Sequence, residues 1–485
     1  MLQYILDHTW TSLLILNYCI ALAIIGYMMM HNGNPTKTVA FILALVALPI
    51  VGIFIYIFFG QEYRKSKIFK REEIYSHERI KKWEDKYLMR KEELDHPEKH
   101  VVKNNLKLIN LLQNNQKTPV TLRNHVRILQ NGNDTYNALL EDLNKAKDHI
   151  HLEYYTFDDD NIGNRIIDVL CERSESGVEV MVSYDYVGSK MSAKALKRMN
   201  SAGVEVCSFQ PVWFRNFHRK LNYRNHRKIV IIDGRIGYIG GINISDLYLN
   251  DEDSDFYWRD THSRIEGEAV KSLQTQFLYN WDFLTDNEVE IKEAYYPEID
   301  VEKDVAVQIV ASGPDTDFPN IMEAVLMAIN TAEKSIFITT PYFIPNSEIL
   351  TALCTASRSG IDVKIIIPDK GDSWVARHAT NSFVEQMLES GVEVYHYRKG
   401  MVHAKTIIID EHIATVGTAN MDNRSFMLNF EINAIFYDEH IAKEMSEQYK
   451  KDLEHSFPNE LEEWKRRSAY LRIKESFWRL WAPLL

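Results

Sequence analysis

Four polar residues and a glycine occur twice in this chain in the same register, 177 positions apart (403 − 226 = 177). The first set runs His226-Arg-Lys228-Ile-Val-Ile-Ile-Asp233, then six residues, then Gly240-Gly-Ile-Asn243. The second runs His403-Ala-Lys405-Thr-Ile-Ile-Ile-Asp410, then six residues, then Gly417-Thr-Ala-Asn420. Three further matches keep the same order. Ile150–Phe157 matches Ile336–Phe343, Ser176–Val180 matches Ser359–Val363, and Gly203–Val206 matches Gly391–Val394. Their offsets are 186, 183 and 188 residues (336 − 150, 359 − 176, 391 − 203). Two long copies constrain the chain to two copies of one fold. In each, short β-branched runs alternate with helix-like stretches such as 164–174 and 348–358. That alternation predicts strands joined by crossover helices, an α/β sandwich in each half. Two such halves form a pseudo-dimer within one chain, with a shared site drawn from both.

The spacing within the motif carries chemistry. Ile-Val-Ile-Ile and Ile-Ile-Ile are buried-strand sequences. A His and a Lys two residues apart on a strand share a face. The Asp ends the strand at a turn, where Asp-Gly and Asp-Glu are suitable. Gly-x-x-Asn brings a close backbone and an amide to the same place. Brought together, the halves supply two imidazoles, two ammonium groups and two carboxamides. Such a set suits a phosphodiester: a neutral imidazole attacks phosphorus and a protonated one serves the leaving oxygen. The lysines and asparagines stabilise charge on the remaining oxygens.

Composition hides a division along the chain. The 485 residues carry a net charge of −12, and 26% of them are charged, which excludes a disordered chain and a broadly basic nucleic-acid binder. The first sixty residues contain only Asp7 and Lys37 as charged side chains, so all of that excess lies later. Trp10–Met30 and Thr38–Phe59 are uncharged runs of 21 and 22 residues (30 − 9, 59 − 37), each long enough to span a bilayer as a helix of about 20 residues. The Asn-Gly-Asn-Pro turn between them predicts a two-helix transmembrane hairpin over 1–60. A signal peptide needs a basic start, which Met-Leu-Gln-Tyr-Ile-Leu-Asp7 lacks. Arg64, Lys65, Lys67, Lys70 and Arg71 follow the second run and mark the cytoplasmic side. Residues 61–118 alternate in charge and read as a solvated, largely helical juxtamembrane connector. The halves then occupy 119–298 and 299–485.

Four separated cysteines form no CxxC pair, and no cluster has metal-ligand spacing, so neither a metal nor a cofactor is expected. Trp213–Lys228 holds six basic residues and no acid, interleaved with aromatics, which suits anionic headgroups or single-stranded nucleic acid. The membrane hairpin favours lipid. Residues 464–485 mix basic and aromatic side chains and suit equally an interfacial amphipathic helix and one packed on the protein.

The duplicated motif resembles that of the phospholipase D superfamily from residue 119 onward. The resemblance implies phosphodiester transfer through a phosphohistidine, without a metal, and a downstream acid that orients each motif histidine. Glu431 lies 28 residues after His403 and Asp260 lies 34 after His226 (431 − 403, 260 − 226), the difference falling in the acidic loop 250–254. They look like the orienting acids of those two histidines respectively. The segment from Asn34 to Gly60, together with Tyr223–Lys228, Asn423–Phe426 and Pro483–Leu485, is similar to bacterial cardiolipin synthases. This implies transfer of a phosphatidyl group between two phosphatidylglycerols with release of glycerol, at a bacterial cell membrane. A membrane-anchored phospholipase D hydrolase and a phosphodiester nuclease are the alternatives. The implied catalytic residues are His226, Lys228, Asp233, His403, Lys405 and Asp410; Asn243, Asn420, Asp260 and Glu431 are the implied substrate-binding residues. The motifs are symmetric, so the sequence leaves open which histidine is the nucleophile, and equally the oligomeric state.

Overall fold

The structure is a computed structural model that describes residues 2–30, 35–48, 50–59, 100–209, 223–250, 256–285, 289–299, 301 and 305–484. The predicted turn at 31–34, the cluster Arg64–Arg71, the 213–222 part of the basic and aromatic stretch and most of the acidic loop lie outside these residues. Two units are distinct, residues 1–66 with 212–222, and the remainder.

In the first unit, a helix spans Leu2–Met30. Within it Thr11–Met30 is the one described helix long and apolar enough to cross a membrane. The second apolar run is not one helix. It forms Pro35–Ala47 and Val51–Phe59, and at 13 and 9 residues neither spans a bilayer alone. The break falls at Ile50, whose φ of 69° is left-handed and which follows Pro49 in sequence. The amide of Ile50 donates to Asn17 Oδ1 of the first helix at 2.8 Å, which gives that buried polar side chain a partner. Ala21, Met28, Leu45 and Tyr56 pack the helices together.

The second unit holds two large mixed sheets and two short two-stranded ones. The strands of the first half are β1 (Val120–Thr121), β2 (Asn124–Gln130), β3 (His149–Tyr154), β4 (Glu179–Asp185), β5 (Glu205–Phe209), β6 (Lys228–Ile232), β7 (Ile236–Gly240), β8 (Tyr257–Arg259) and β9 (Thr261–Gly267). Those of the second are β10 (Ala306–Ser312), β11 (Ser335–Thr339), β12 (Phe343–Ile344), β13 (Asp362–Pro368), β14 (Glu393–Tyr397), β15 (Gly400–Val402), β16 (Thr406–Ile409), β17 (Ile413–Gly417), β18 (Met421–Asp422), β19 (Glu431–Tyr437) and β20 (Ser456–Pro458). The order β2-β9-β7-β6-β3-β4-β5 recurs as β10-β19-β17-β16-β11-β13-β14, with β1 and β20 added at the edges of the second sheet. The repeat read in sequence is therefore a repeat of topology. In each sheet β3-β4-β5 and β11-β13-β14 run parallel and the other pairs antiparallel.

Side chains alternate across each strand. Ile229 and Ile231 of β6 join a core that also contains Val307, Ile408, Val416 and Ile432, while Val230 and Ile232 face the helices Asn131–Lys145 and Asn161–Glu175. The two sheets thus share a central apolar layer, and helices cover their outer faces. Truncating one such side chain, as in Ile231→Ala, costs about 2–5 kcal/mol.

Two sequence expectations change. The end of the 61–118 segment is not a solvated connector. Helices His100–Asn104 and Leu106–Gln116 bury Val101, Val102, Leu108, Ile109 and Leu112 in the core of the second half. The start of the first half also crosses over: β1 pairs with β10 in the second sheet. Apolar residues at helical spacing were masked by the surrounding charges.

Candidate active site

Each motif histidine enters the site from a short ladder that joins the halves. His226 follows Asn225, which bridges to Phe430, and His226 N–H donates to the Phe430 carbonyl at 2.9 Å. In the other copy β15 pairs with β8, and His403 N–H donates to the Arg259 carbonyl at 2.7 Å. Glu431 follows Phe430 and Asp260 follows Arg259, so each ladder sets an acid beside the histidine of the opposite half. His226 Nδ1 lies 2.9 Å from Glu431 Oε2, and His403 Nδ1 lies 2.7 Å from Asp260 Oδ2. The expected pairing of Glu431 with His403 and of Asp260 with His226 is thereby reversed. The sheet order explains it: β7 separates β9 from β6, and β17 separates β19 from β16. Each acid is two strand spacings, about 9.6 Å, from the histidine strand of its own half.

All four side chains are buried. Burial would push Glu431 up, but His226 and Lys228 outweigh it and the carboxyl titrates below its ordinary value. In Asp260, Lys405 and His403 likewise outweigh burial and hold the group ionised. Burial drives His226 down to about 4, with Glu431 opposing and Lys228 assisting. Burial and Lys405 push His403 down, with Asp260 opposing. The resting site therefore holds two neutral imidazoles against two carboxylates. An ionised carboxylate only accepts, so each Nδ1 carries the proton and each Nε2 keeps a lone pair.

The lysines stand beside the rings. Lys228 Nζ donates to the His226 carbonyl at 2.7 Å, and Lys405 Nζ donates to the His403 carbonyl. Lys405 Nζ also lies 3.0 Å from His403 Nε2. Burial lowers Lys228 to about 7 and Lys405 to about 8. An anion entering this site meets two cations whose own solvation has been stripped, which strengthens the attraction.

The asparagines have different duties. Asn243 accepts from Thr156 N–H at 3.1 Å and donates to Tyr248 Oη at 2.9 Å, so its amide braces the wall of the site. Asn420 sits beside Lys405 in a small cavity of about 10 Å³, and its buried Oδ1 has no partner among the described residues. Gly241 is a glycine because the Asp260 carboxylate occupies the space of a Cβ.

Asp233 and Asp410 are not brought into this group. Each sits at the far end of its strand at a positive φ, 53° and 55°, in the three-residue turn that joins it to the next strand. Asp233 accepts from the amides of Lys147, Asp148 and His149, and Asp410 from those of Glu333, Lys334 and Ser335, at 2.7–3.1 Å. Their conserved spacing within the repeat reflects a turn that fastens two strands, and the reading of them as catalytic is corrected.

Sequence reasoning missed the aromatic walls. The Tyr155 ring is 4.9 Å from that of His226, and Trp258 and Tyr248 are 5.6 and 5.8 Å from that of His403. Tyr248 gave no signal because the repeat places Ser425 at its equivalent position (248 + 177 = 425).

A family model described as "Cardiolipin synthase, PLD-like domain" matches residues 139–281 and 325–453, one segment in each half. A second, "Phospholipase_D-nuclease N-terminal", matches 18–61. The chain is 41% identical to a cardiolipin synthase of Alkalihalophilus pseudofirmus over 94% of this chain and 90% of that one. The chain belongs to the cardiolipin synthase family of phospholipase D-like enzymes. The major cardiolipin synthase ClsA of Bacillus subtilis, a member of it, is 39% identical over 97% of this chain and 98% of its own. Among solved structures, a phosphatidylserine synthase of Haemophilus influenzae has the same fold, with a TM-score of 0.60 at 14% identity over 78% of this chain and all of that one. The family assignment makes this chain a phosphatidyltransferase acting on membrane phospholipid.

Proposed function

We propose that the chain forms cardiolipin from two phosphatidylglycerols in two displacements at the paired histidines. The supporting observation is the crossed pairing, which leaves two Nε2 lone pairs in one buried site with two lysines. The donor's phosphate enters as a monoanion between the imidazoles. His226 Nε2 forms a bond to phosphorus as the bond to the glycerol oxygen breaks. As the phosphate charge joins Asp260 beside it, His403 takes up a proton from solvent at Nε2, and the departing glycerol oxygen takes that proton. His403, now neutral, removes the proton from the terminal hydroxyl of the second phosphatidylglycerol. The resulting oxygen displaces His226 from phosphorus, giving cardiolipin. Glu431 stabilises the cation that develops on His226, and Lys228, Lys405 and Asn420 stabilise charge on the phosphoryl oxygens.

A synthase must admit a lipid hydroxyl and disfavour water at the second step, which aromatic walls at Tyr155, Tyr248 and Trp258 favour. We also infer that the first sixty residues hold the catalytic halves at the cytoplasmic face of the cell membrane. The charge asymmetry around the apolar runs supports that orientation.

One assay separates the candidate activities. Purified full-length protein with phosphatidylglycerol should yield cardiolipin and one glycerol per turnover, with or without a chelator. Phosphatidic acid as the main product would establish the hydrolase, and degraded DNA with intact lipid would establish the nuclease.

A further inference from the structure

The C-terminal helix Ala469–Arg479 is amphipathic with its apolar face turned outward. Tyr470, Ile473, Phe477 and Leu480 fall at steps of 3, 4 and 3, which is one helical face. They are 73%, 69%, 51% and 76% exposed. The opposite face is the polar and anchored one. There Glu475 is buried against Arg467 at 2.7 Å, Arg479 donates to the Ser382 carbonyl at 3.0 Å, and Arg472 reaches Glu385 at 3.4 Å. Trp478 packs edge-on against Trp374 at 5.0 Å, and Trp374 is itself half-exposed. The helix is therefore firmly seated on the helix Trp374–Glu389, and its orientation is not a loose end that could roll over. A soluble surface helix shows the reverse arrangement, so this outward apolar stripe marks an interaction surface.

The patch borders the catalytic site. Asp372, two residues before Trp374, accepts from Tyr342 Oη at 2.5 Å, and its charge acts on both His403 and Lys405. From the other side, Asn423, three residues after Asn420, donates to the Pro483 carbonyl at 2.7 Å. The chemistry of the patch identifies its occupant. Residues 464–484 carry six basic side chains, and their one acid, Glu475 on the helix, is neutralised by Arg467. Exposed Trp, Tyr and aliphatic side chains interleaved with Arg and Lys match the boundary of an anionic bilayer, apolar bodies inward and cations at the headgroups.

We propose that this face, with Trp374 and Trp481, docks the catalytic halves on the anionic phospholipid surface beside the site, so that substrate passes from the bilayer to the histidines without crossing water. The proposal rests on the lipid-substrate reading above, but contact with the bilayer is measured apart from turnover. The full chain, carrying dansylalanine in place of Phe477, is reconstituted in vesicles of phosphatidylglycerol and phosphatidylcholine. Brominated lipid should quench the probe severalfold more than it quenches the same probe at Lys334, an exposed residue at the far end of the second sheet. Equal quenching at the two positions would overturn the proposal, as would shielding of position 477 that depends on protein concentration and not on lipid, the mark of a second copy. In a second arm, Phe477→Glu with Leu480→Glu should lower turnover of long-chain phosphatidylglycerol in vesicles about tenfold or more. The same variant should stay within about twofold on a short-chain, monomeric phosphatidylglycerol. Equal loss on both substrates would show the face to be merely structural. Quenching with no cardiolipin formed would leave the docking standing and sink the transferase mechanism instead.

Discussion

His226 and Glu431 come from opposite halves of the chain and stand 2.9 Å apart, Nδ1 to Oε2. The mirror pair, His403 and Asp260, stands 2.7 Å apart. Each half therefore supplies a histidine and the acid that orients the other half's histidine. Neither half contains a complete catalytic pair, which ties chemistry to correct docking of the two sheets. The shared apolar layer at Ile231, Val416 and Ile432 then has a functional consequence as well as a stabilising one.

The crossed pairing makes a kinetic prediction. Glu431→Gln removes the acceptor that holds His226 in its tautomer, and Asp260→Asn does the same for His403. Each should lower kcat by about 10- to 100-fold with little change in folding. With an activated donor whose leaving group needs no proton, Asp260→Asn should largely recover formation of the covalent intermediate and Glu431→Gln should not. Recovery by the glutamine variant alone would place each acid back on the histidine of its own half.

The pH profile follows from the shifted groups. His226 is pushed down to about 4, so it is neutral and nucleophilic at all higher pH. Lys228 and Lys405 are lowered to about 7 and about 8, and a lysine is charged only below its own value. The kcat/KM profile of the free enzyme should fall on the acid side near pH 4, decline above the lowered value of His403 as the general acid loses its proton, and end in an alkaline limb between about 7 and 8 where the lysines lose theirs. Lys228→Arg should move the alkaline limb up, since a guanidinium stays charged, while lowering the maximum through altered geometry. An alkaline limb that stays in place in both lysine-to-arginine variants would remove the lysines from the profile.

Much of this architecture was legible in the sequence because duplication exposes itself. The repeat gave two halves, the β-branched runs gave β6 and β16, and His-x-Lys gave side chains on one face. The pairing across halves was not legible. Spacing along the chain brought Glu431 close to His403, but β17 lies between their strands, and sheet order is set by packing that no local pattern records. The break at Ile50 was missed for a different reason: the length of the apolar run outweighed the one mark within it, Pro49. The inward seat of Leu108 and Leu112 was hidden by exposed Lys107 in the same short helix and by Lys103 and Lys117 on either side of it.

The two histidines can be assigned by trapping. His226→Ala and His403→Ala should each lower cardiolipin formation by at least about a thousandfold, because each step needs both a nucleophile and a proton carrier. A phosphatidyl donor with a p-nitrophenol leaving group dispenses with the acid in the first step. His403→Ala should then accumulate acid-labile, base-stable lipid on the protein, and His226→Ala should accumulate none. The opposite result would exchange the two roles.

Asp233 and Asp410 distinguish fastening from chemistry. Each carboxylate holds three backbone amides at the end of the sheet away from the site. Asp233→Ala leaves those amides to water and removes charge-assisted hydrogen bonds, at a cost of about 1–3 kcal/mol. It also leaves a left-handed backbone position without the residue type that tolerates it. The melting temperature should fall, while kcat of the folded fraction should stay within about threefold, because neither Nε2 nor either lysine moves. Asp233→Asn should recover part of the stability, since its amide oxygen still accepts and asparagine tolerates the same φ. A loss of kcat comparable to that of His226→Ala at unchanged melting temperature would return Asp233 to the catalytic machinery.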